Sequence, residues 1–428
     1  MRNETRDQTA HMDICIIGNN AKSVAAATAL TYLGCKVALY ALSENEEQHL
    51  EKYKFDKYLC DQWRKSIDEQ SLTYHNLNVS DIENTDFKHY WLFLDQIPES
   101  MQEKLVLGLS QSSRNILLSG IEPIGRIDQI ANQLSSANVF YIPFVFLNQA
   151  SVYLATIAPS LLLVGEKSLG TAAKNLIIQK LIENSEQSHI HDVKTVEFAR
   201  SCMVNLMASK LSLLNEMAQA AEGSSVDMLD VEAILQLDKR LGEGFLKSGW
   251  GYGGSTLPKE NAMLKQHLKG LNLPFNMIEE VEKINNEQKE LIFQKIWRYF
   301  GSYISGKKVV IWGAGYKRGT GRTKGSAIHT LLPLFWGHDV VTLIYDPLAE
   351  DELNEIYKQD SRLEFLNSPY EHLDTSDAVI IINWSEDNKP DINVINQYQT
   401  PVFDARNLLS REQASQLNGY YTGIGHGK

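Results

Sequence analysis

Two glycine-bearing stretches hold the residues best placed to do chemistry. The first, Gly18-Asn19-Asn20-Ala21-Lys22-Ser23, follows an apolar β-type run and opens a helical one, the place where a dinucleotide's pyrophosphate is cradled. Such a turn uses glycine three times: for the tight bend, for close approach of the pyrophosphate and for helix packing. Here only Gly18 remains, with Asn20 and Ser23 at the other two places. The Cβ of Asn20 points toward the pyrophosphate's space, and Ser23 only loosens the helix packing. The next strand-like run, Val37 to Leu42, ends with Ala41 where a carboxylate would accept hydrogen bonds from the adenosine ribose. Glu44, a few residues on, leaves NAD binding open, but the expectation is a fold that persists with no bound cofactor. The second stretch, Gly249-Trp250-Gly251-Tyr252-Gly253-Gly254-Ser255, offers backbone N–H groups that can approach a diphosphate or a sugar closely. The same glycines would equally serve a turn that the fold needs. Cys202 stands two residues from Arg200 in a helical pattern, so the two point to roughly opposite faces, and a small buried structural cysteine is expected there.

Longer segments join these stretches into one pattern. Asn215-Glu216, Leu237 to Gly242 and Phe245 to Glu260, together with Gly315-Tyr316-Lys317, Tyr345-Asp346-Pro347, Phe403 to Asn407 and Tyr420 to Gly425, resemble the UDP-glucose/GDP-mannose dehydrogenase family over nearly the whole chain. Members oxidise a sugar 6-alcohol to a carboxylate with two NAD molecules in succession, a cysteine holding the aldehyde-level intermediate. By that resemblance the cysteine's place is taken by Thr256, the oxyanion lysine's by Arg200 and the following asparagine's by Val204. Both glutamates of Pro-Glu-Phe-Leu-x-Glu-Gly are replaced, by Phe144 and Asn148, the threonine of Pro-Val-Gly-Thr is missing from Ile121 to Arg126, and Glu260 lengthens an aspartate. A threonine hydroxyl needs an adjacent base before it attacks anything, valine donates no hydrogen bond, and arginine's fixed proton and planar fork differ from a lysine ammonium. In the C-terminal part, Lys317 to Lys324 matches Lys-x-x-Thr-Asp-Asp-x-Arg with the two acids changed to Gly321 and Arg322. The resemblance further implies a nucleotide-sugar grip from Phe245, Leu246, Lys247, Gly249, Gly251, Tyr252, Gly253 and Gly254, with Lys317 and Arg406 at the nucleotide end and Arg240 reaching a neighbouring subunit's ligand.

The elements that must position these groups alternate in an α/β manner. DICIIG, the helical AKSVAAATALTYLG and KVALYAL form a βαβ opening, and HYWLFLD, NILLSG, VFYIPF and SLLLVG complete a parallel-sheet domain. From Val196 the apolar spacing of Met203, Leu206, Met207, Leu211, Leu214 and Met217 is helical, and a connecting helix is expected from Asn276 to about Tyr299. GKKVVIWGAG restarts a strand-turn-helix unit, followed by strands at VVTLIYDP, DAVIIINW and PVFDARN. The fold class is therefore α/β: two Rossmann-like domains joined by a central helical domain with a long connecting helix. The divisions fall at 1–11, a polar extension; 12–195, the first Rossmann-like domain; 196–300, the helical and dimerisation domain; and 301–428, the nucleotide-sugar domain.

Bulk properties exclude several roles. At 428 residues the chain suits two or three cores. A net charge of -12 opposes nonspecific attraction to nucleic acid. The polar start does not read as a secretory leader, and no apolar run reaches a membrane span, so a cytoplasmic protein is expected. The four cysteines lack the short paired spacings of zinc sites or redox dithiols, so no metal is expected. Three functions fit: a non-catalytic or regulatory binder of a nucleotide sugar, UDP-linked, in surface-polysaccharide or related sugar metabolism; a working NAD-dependent oxidoreductase with a rebuilt site; or a structural partner of an active paralogue. A homodimer, or a mixed oligomer with such a paralogue, is expected from the apolar surface of the long helices.

Overall fold

The computed structural model describes residues 13–42, 46, 50, 53, 56–77, 87–110, 113–144, 151–242, 244–357, 360–385 and 389–426. The chain divides into two compact units, one up to Met203 and one from Val204 onward.

The first unit is built on an eight-stranded sheet of β1 (Asp13–Ile17), β2 (Lys36–Ala41), β3 (Leu72–Asn76), β4 (His89–Phe93), β5 (Asn115–Ser119), β6 (Asn138–Tyr141), β7 (Leu162–Glu166) and β8 (Ser188–Asp192), in the order β3-β2-β1-β4-β5-β6-β7-β8. The order reverses between β1 and β4, so a crevice opens at their carboxyl ends, the place where α/β sheets hold nucleotides. Ile14, Cys15, Ile16 and Ile17 are all fully buried, as a central strand covered on both faces requires. The sheet is parallel except that β7 runs antiparallel to β6, a departure from the all-parallel expectation. The short α5 (Val152–Ile157) follows β6 and reverses the chain without a full crossover helix. Strands β3 and β8 lie at the two edges, and their polar, half-exposed sequences LTYHN and SHIHD carry no strong strand signal.

Helix α1 (Ala21–Tyr32) is buried almost all round, because its alanines let it approach the strands and helices beside it closely. Helix α4 (Arg126–Gln133) follows β5, and helix α7 (Val193–Gly223) runs through the division between the units.

The second unit carries a six-stranded, wholly parallel sheet: β9 (Lys308–Trp312), β10 (Val341–Tyr345), β11 (Leu363–Phe365), β12 (Ala378–Ile381), β13 (Val402–Asp404) and β14 (Tyr421–Gly423), in the order β11-β10-β9-β12-β13-β14. Its reversal point lies between β9 and β12. Helices α8 (Met228–Leu237), α9 (Thr256–Gly270) and α10 (Asn276–Tyr299) belong to the same unit. Leu291, Ile292, Phe293 and Ile296 of α10 enter one core with Ile311, Phe335 and Phe403. Helix α11 (Ile328–Trp336) begins only after a long glycine-rich and basic loop, rather than directly after β9 as the strand-turn-helix reading expected. The reason is local: Gly313 and Gly321 sit at positive φ, and a Cβ on Gly321 would lie 2.2 Å from the Leu348 carbonyl oxygen, so the loop folds back before any helix starts.

Candidate functional site

In the first unit, the turn after β1 is completed by its own side chains. Asn20 is the N-cap of α1, and its Oδ1 accepts from the N–H groups of Lys22 at 2.8 Å and Ser23 at 3.4 Å. The Ser23 hydroxyl in turn accepts from the Asn20 N–H at 3.2 Å, closing a capping box. Gln96, just after β4, reaches across the reversal point, and its Oε1 accepts the Asn19 N–H at 2.7 Å. Gly18 is required by the protein: a Cβ there would stand 2.6 Å from the Ser23 Cβ and 2.9 Å from that of Phe93. At the end of β2, the Ala41 carbonyl accepts from Leu77, and Tyr40 stacks on His75 at 4.8 Å. Glu44 lies outside the described residues, and Glu46 is bound to the Trp63 indole N–H at 2.8 Å. The N–H groups of Asn19, Lys22 and Ser23 in this turn are thus already met by protein side chains.

The other altered positions in this unit are similarly absorbed. Phe144 stacks on Trp91 and packs at a tilt against Phe93, with ring centroids 5.7 and 5.5 Å away, so an aromatic cluster stands where the family pattern has a carboxylate. Arg200 is buried, and burial lowers its pKa against the pull of Tyr141 and Asp95. Glu197, one turn earlier, accepts the Ile127 N–H at 3.1 Å at the start of α4, and burial raises its pKa. Asn148 lies outside the described residues. Cys202 is exposed, not buried as expected. It does lie on the face of α7 opposite Arg200, and it is this outward face that leaves its thiol in solvent.

The second unit assembles the glycine-rich loop between helices and the sheet's carboxyl edge. Asn215 of α7 accepts the Gly249 N–H at 2.9 Å, and Glu232 of α8 accepts from both the N–H and the hydroxyl of Ser248 at 2.6 Å. From α10, Asn285 accepts the Tyr252 N–H at 2.7 Å, and Gln288 donates to the Gly249 carbonyl at 2.7 Å. Gly254 donates to the Lys324 carbonyl at 2.8 Å. The glycines answer first to this packing. A Cβ at Gly251 would meet Asn285 at 2.6 Å, one at Gly253 the Gly325 carbonyl at 2.4 Å, and one at Gly254 the Tyr316 ring at 2.8 Å. Burial, chiefly, pushes the Tyr252 phenol up to about 12.

Basic groups meet this loop at the sheet edge. The Arg406 guanidinium lies 5.0 Å over the Trp250 ring and donates to the carbonyls of Gly251 and Tyr316 at 3.4 and 3.5 Å. Burial lowers its pKa, and Asp404 opposes that shift. Lys317, half-buried in the turn beyond Gly315, is also shifted down by burial. Asp346 at the end of β10 accepts from Ala314 and Gly315 at 2.8 and 3.2 Å and so fixes the turn that presents Lys317. Leu246 is buried, Phe245 is half-buried with φ of 57°, and Lys247 is exposed. Arg240 is exposed and forked onto Asp238 within its own turn. Thr256 is the first residue of α9, where the helix's positive end would favour a thiolate and does little for an alcohol. Val204 and Glu260 are buried. Among the described residues no group of three or more His, Cys, Asp or Glu side chains could hold a metal ion.

Sequence reasoning missed Gln96, Asn285 and Gln288. For the last two a signal existed, since both are polar residues on the buried face of an amphipathic helix. Gln96 lies 77 residues from the N–H that it binds, and no local pattern marks it.

Residues 194–287 match the central domain of the UDP-glucose/GDP-mannose dehydrogenase family, and residues 310–411 match that family's UDP binding domain. The chain belongs to the UDP-glucose/GDP-mannose dehydrogenase family. A UDP-glucose 6-dehydrogenase of Rickettsia bellii is 24% identical over 97% of this chain and 99% of its own length. One of Pseudomonas aeruginosa is 30% identical over 57% of this chain, and the chain spans only 55% of that relative. The solved UDP-glucose dehydrogenase of Pyrobaculum islandicum shares the fold with a TM-score of 0.81 at 18% identity, covering 97% of this chain and 98% of its own. In this family member, the loop built on Gly249 to Gly254 falls within the central-domain match, and Lys317 and Arg406 fall within the UDP binding match.

Proposed function

We propose that this family member binds a nucleotide sugar, UDP-linked, on its second unit and does not oxidise it, acting as a non-catalytic or regulatory component of nucleotide-sugar metabolism. The carrying observation is the contrast at one loop. Arg406, Trp250, Gly251 and Tyr316 keep a half-buried cation at the sheet edge, while Thr256 stands where the family's resemblance calls for a thiol. A half-buried guanidinium beside an aromatic face suits a diphosphate and a planar base. Threonine at the start of α9 supplies no nucleophile near neutral pH, since its hydroxyl stays protonated. The other altered positions, Arg200, Val204 and Phe144, offer neither the lysine nor the asparagine nor the carboxylate of the family pattern. A homodimer, or a mixed oligomer with an active paralogue, is part of the proposal. Leu206, Leu213 and Met217 line one side of α7 in solvent and suit burial against a second helix.

Calorimetry with UDP, UDP-glucose and UDP-glucuronate tests the binding, with micromolar affinity for at least one expected. Absence of binding to all three overturns it. The named relatives are dehydrogenases, which favours a second reading, an active NAD-dependent oxidoreductase with a rebuilt site. Steady NADH formation at 340 nm with any of a panel of nucleotide sugars would establish that reading instead. Among the described residues no helix is long and apolar enough to cross a membrane.

A further inference from the structure

A dinucleotide's pyrophosphate is held by backbone donors at the turn after the first strand and at the start of the helix that follows. In this chain six of those donors have protein acceptors. Gly18 donates to the Tyr40 carbonyl, Asn19 to Gln96, Asn20 to the Ser23 hydroxyl, Lys22 and Ser23 to the Asn20 side chain, and Val24 to the Asn20 carbonyl. The acceptors come from two directions. Asn20 bends over the helix start from within the turn, and Gln96 arrives from β4 on the far side of the reversal point, also standing 3.4 Å from the Ser23 hydroxyl.

We propose that the nucleotide crevice of the first unit is closed from inside, with the Asn20 carboxamide taking the anion's place on α1 and the Gln96 carboxamide sealing the turn. The consequence differs from a simple loss of glycines. A turn that has only lost glycines is left with unmet donors and weak residual attraction for phosphate. In this one the N–H groups of Gly18, Asn19, Asn20, Lys22, Ser23 and Val24 are already met, and an entering anion must first displace two neutral acceptors that lie inside the chain. Each such side-chain bond is worth about fivefold in an equilibrium. The closure also needs no movement elsewhere, because Asn20 has the extended backbone of an ordinary N-cap, with φ of -138°.

The inference stands apart from nucleotide-sugar binding, which lies on the second unit, and the test separates the two. Wild type, Gln96→Ala and the double variant Asn20→Gly with Gln96→Ala are each titrated with NAD by calorimetry, and separately with UDP. Glycine is chosen because it removes both the cap and the Cβ at little cost to the helix. For NAD, wild type is expected to bind more weakly than about 1 mM, and the double variant at least about tenfold more tightly than wild type. The UDP affinity of the second unit should be the same in all three. Wild-type NAD binding below about 0.1 mM overturns the closure. So does a double variant that keeps its circular dichroism yet binds NAD no better than wild type. If the double variant fails to fold, Gln96→Ala alone decides: it leaves the cap in place and should improve NAD binding about fivefold, and an unchanged affinity counts against the seal.

Discussion

The turns after the first strands of the two sheets occupy equivalent places in two similar topologies, yet they are finished in opposite ways. After β1 the helix starts within a few residues, and Asn20 and Gln96 fill the space above it with neutral amides. After β9 the helix is delayed to Ile328, and the turn is tied down by the carboxylate of Asp346, leaving Lys317 and Arg406 half-buried at the rim. One crevice is finished with uncharged groups and the other with cations held short of full burial. A half-buried cation has lost part of its hydration, so an anion beside it is held more strongly than beside an exposed one. The lesson is that a shared topology fixes where a ligand could sit, while the side chains that close the turn decide whether there is anything left for it to bind.

The sharpest way to break this contrast is to remove the second turn's support. Gly253→Ala forces a Cβ into the Gly325 carbonyl and should cost about 3 kcal/mol in urea denaturation of the second unit and abolish UDP binding. Acid is expected to weaken the first unit. His89 is buried in β4, and burial, with Lys88 adding to it, lowers its pKa to about 4. The unfolded chain takes up a proton near pH 6.5 and the folded chain only near 4, so stability is full above pH 6.5 and falls as pH drops between those values. The loss should reach about 3 kcal/mol, and His89→Leu should flatten it, as read by hydrogen exchange of the β4 amides at pH 7 and 4.5.

A smaller effect is expected from Asp346→Asn, which keeps the shape but gives up charge-assisted acceptance from Ala314 and Gly315. It should cost about 2 kcal/mol and weaken UDP binding, because the turn that presents Lys317 loosens. The smallest is Asn20→Ala. Loss of the cap should lower the first unit's stability by about 1 kcal/mol while leaving UDP affinity unchanged, and an altered UDP affinity would show that the two crevices are not independent.

The fold was largely legible because its central strands are apolar and β-branched. DICII, KVALYA and KVVIW each announce a buried strand, and the period of Val281, Leu291 and Ile292 marks α10. Strands β3 and β8 were not legible, since an edge strand with one wet face carries mixed polarity. The antiparallel turn into β7 was hidden for another reason: strand direction depends on the length of the connection rather than on the strand's own residues. Within the site, the glycines of 249–254 were visible but their reason was not, because Asn285, Tyr316 and Gly325 approach them from distant parts of the chain. The loss of the second and third turn glycines was readable at Asn20 and Ser23, whereas the seal by Gln96 exists only once β1 and β4 lie side by side.

The placement of the four thiols gives the molecule a built-in reporter. Cys15, Cys35 and Cys60 are buried, and Cys202 alone faces outward, on the same long helix that carries Leu206 and Met217. A maleimide dye will therefore attach at a single spot without any engineering. If two copies pair along that helix, the rate of labelling will slow as the protein is concentrated, turning one ordinary cysteine into a gauge of self-association.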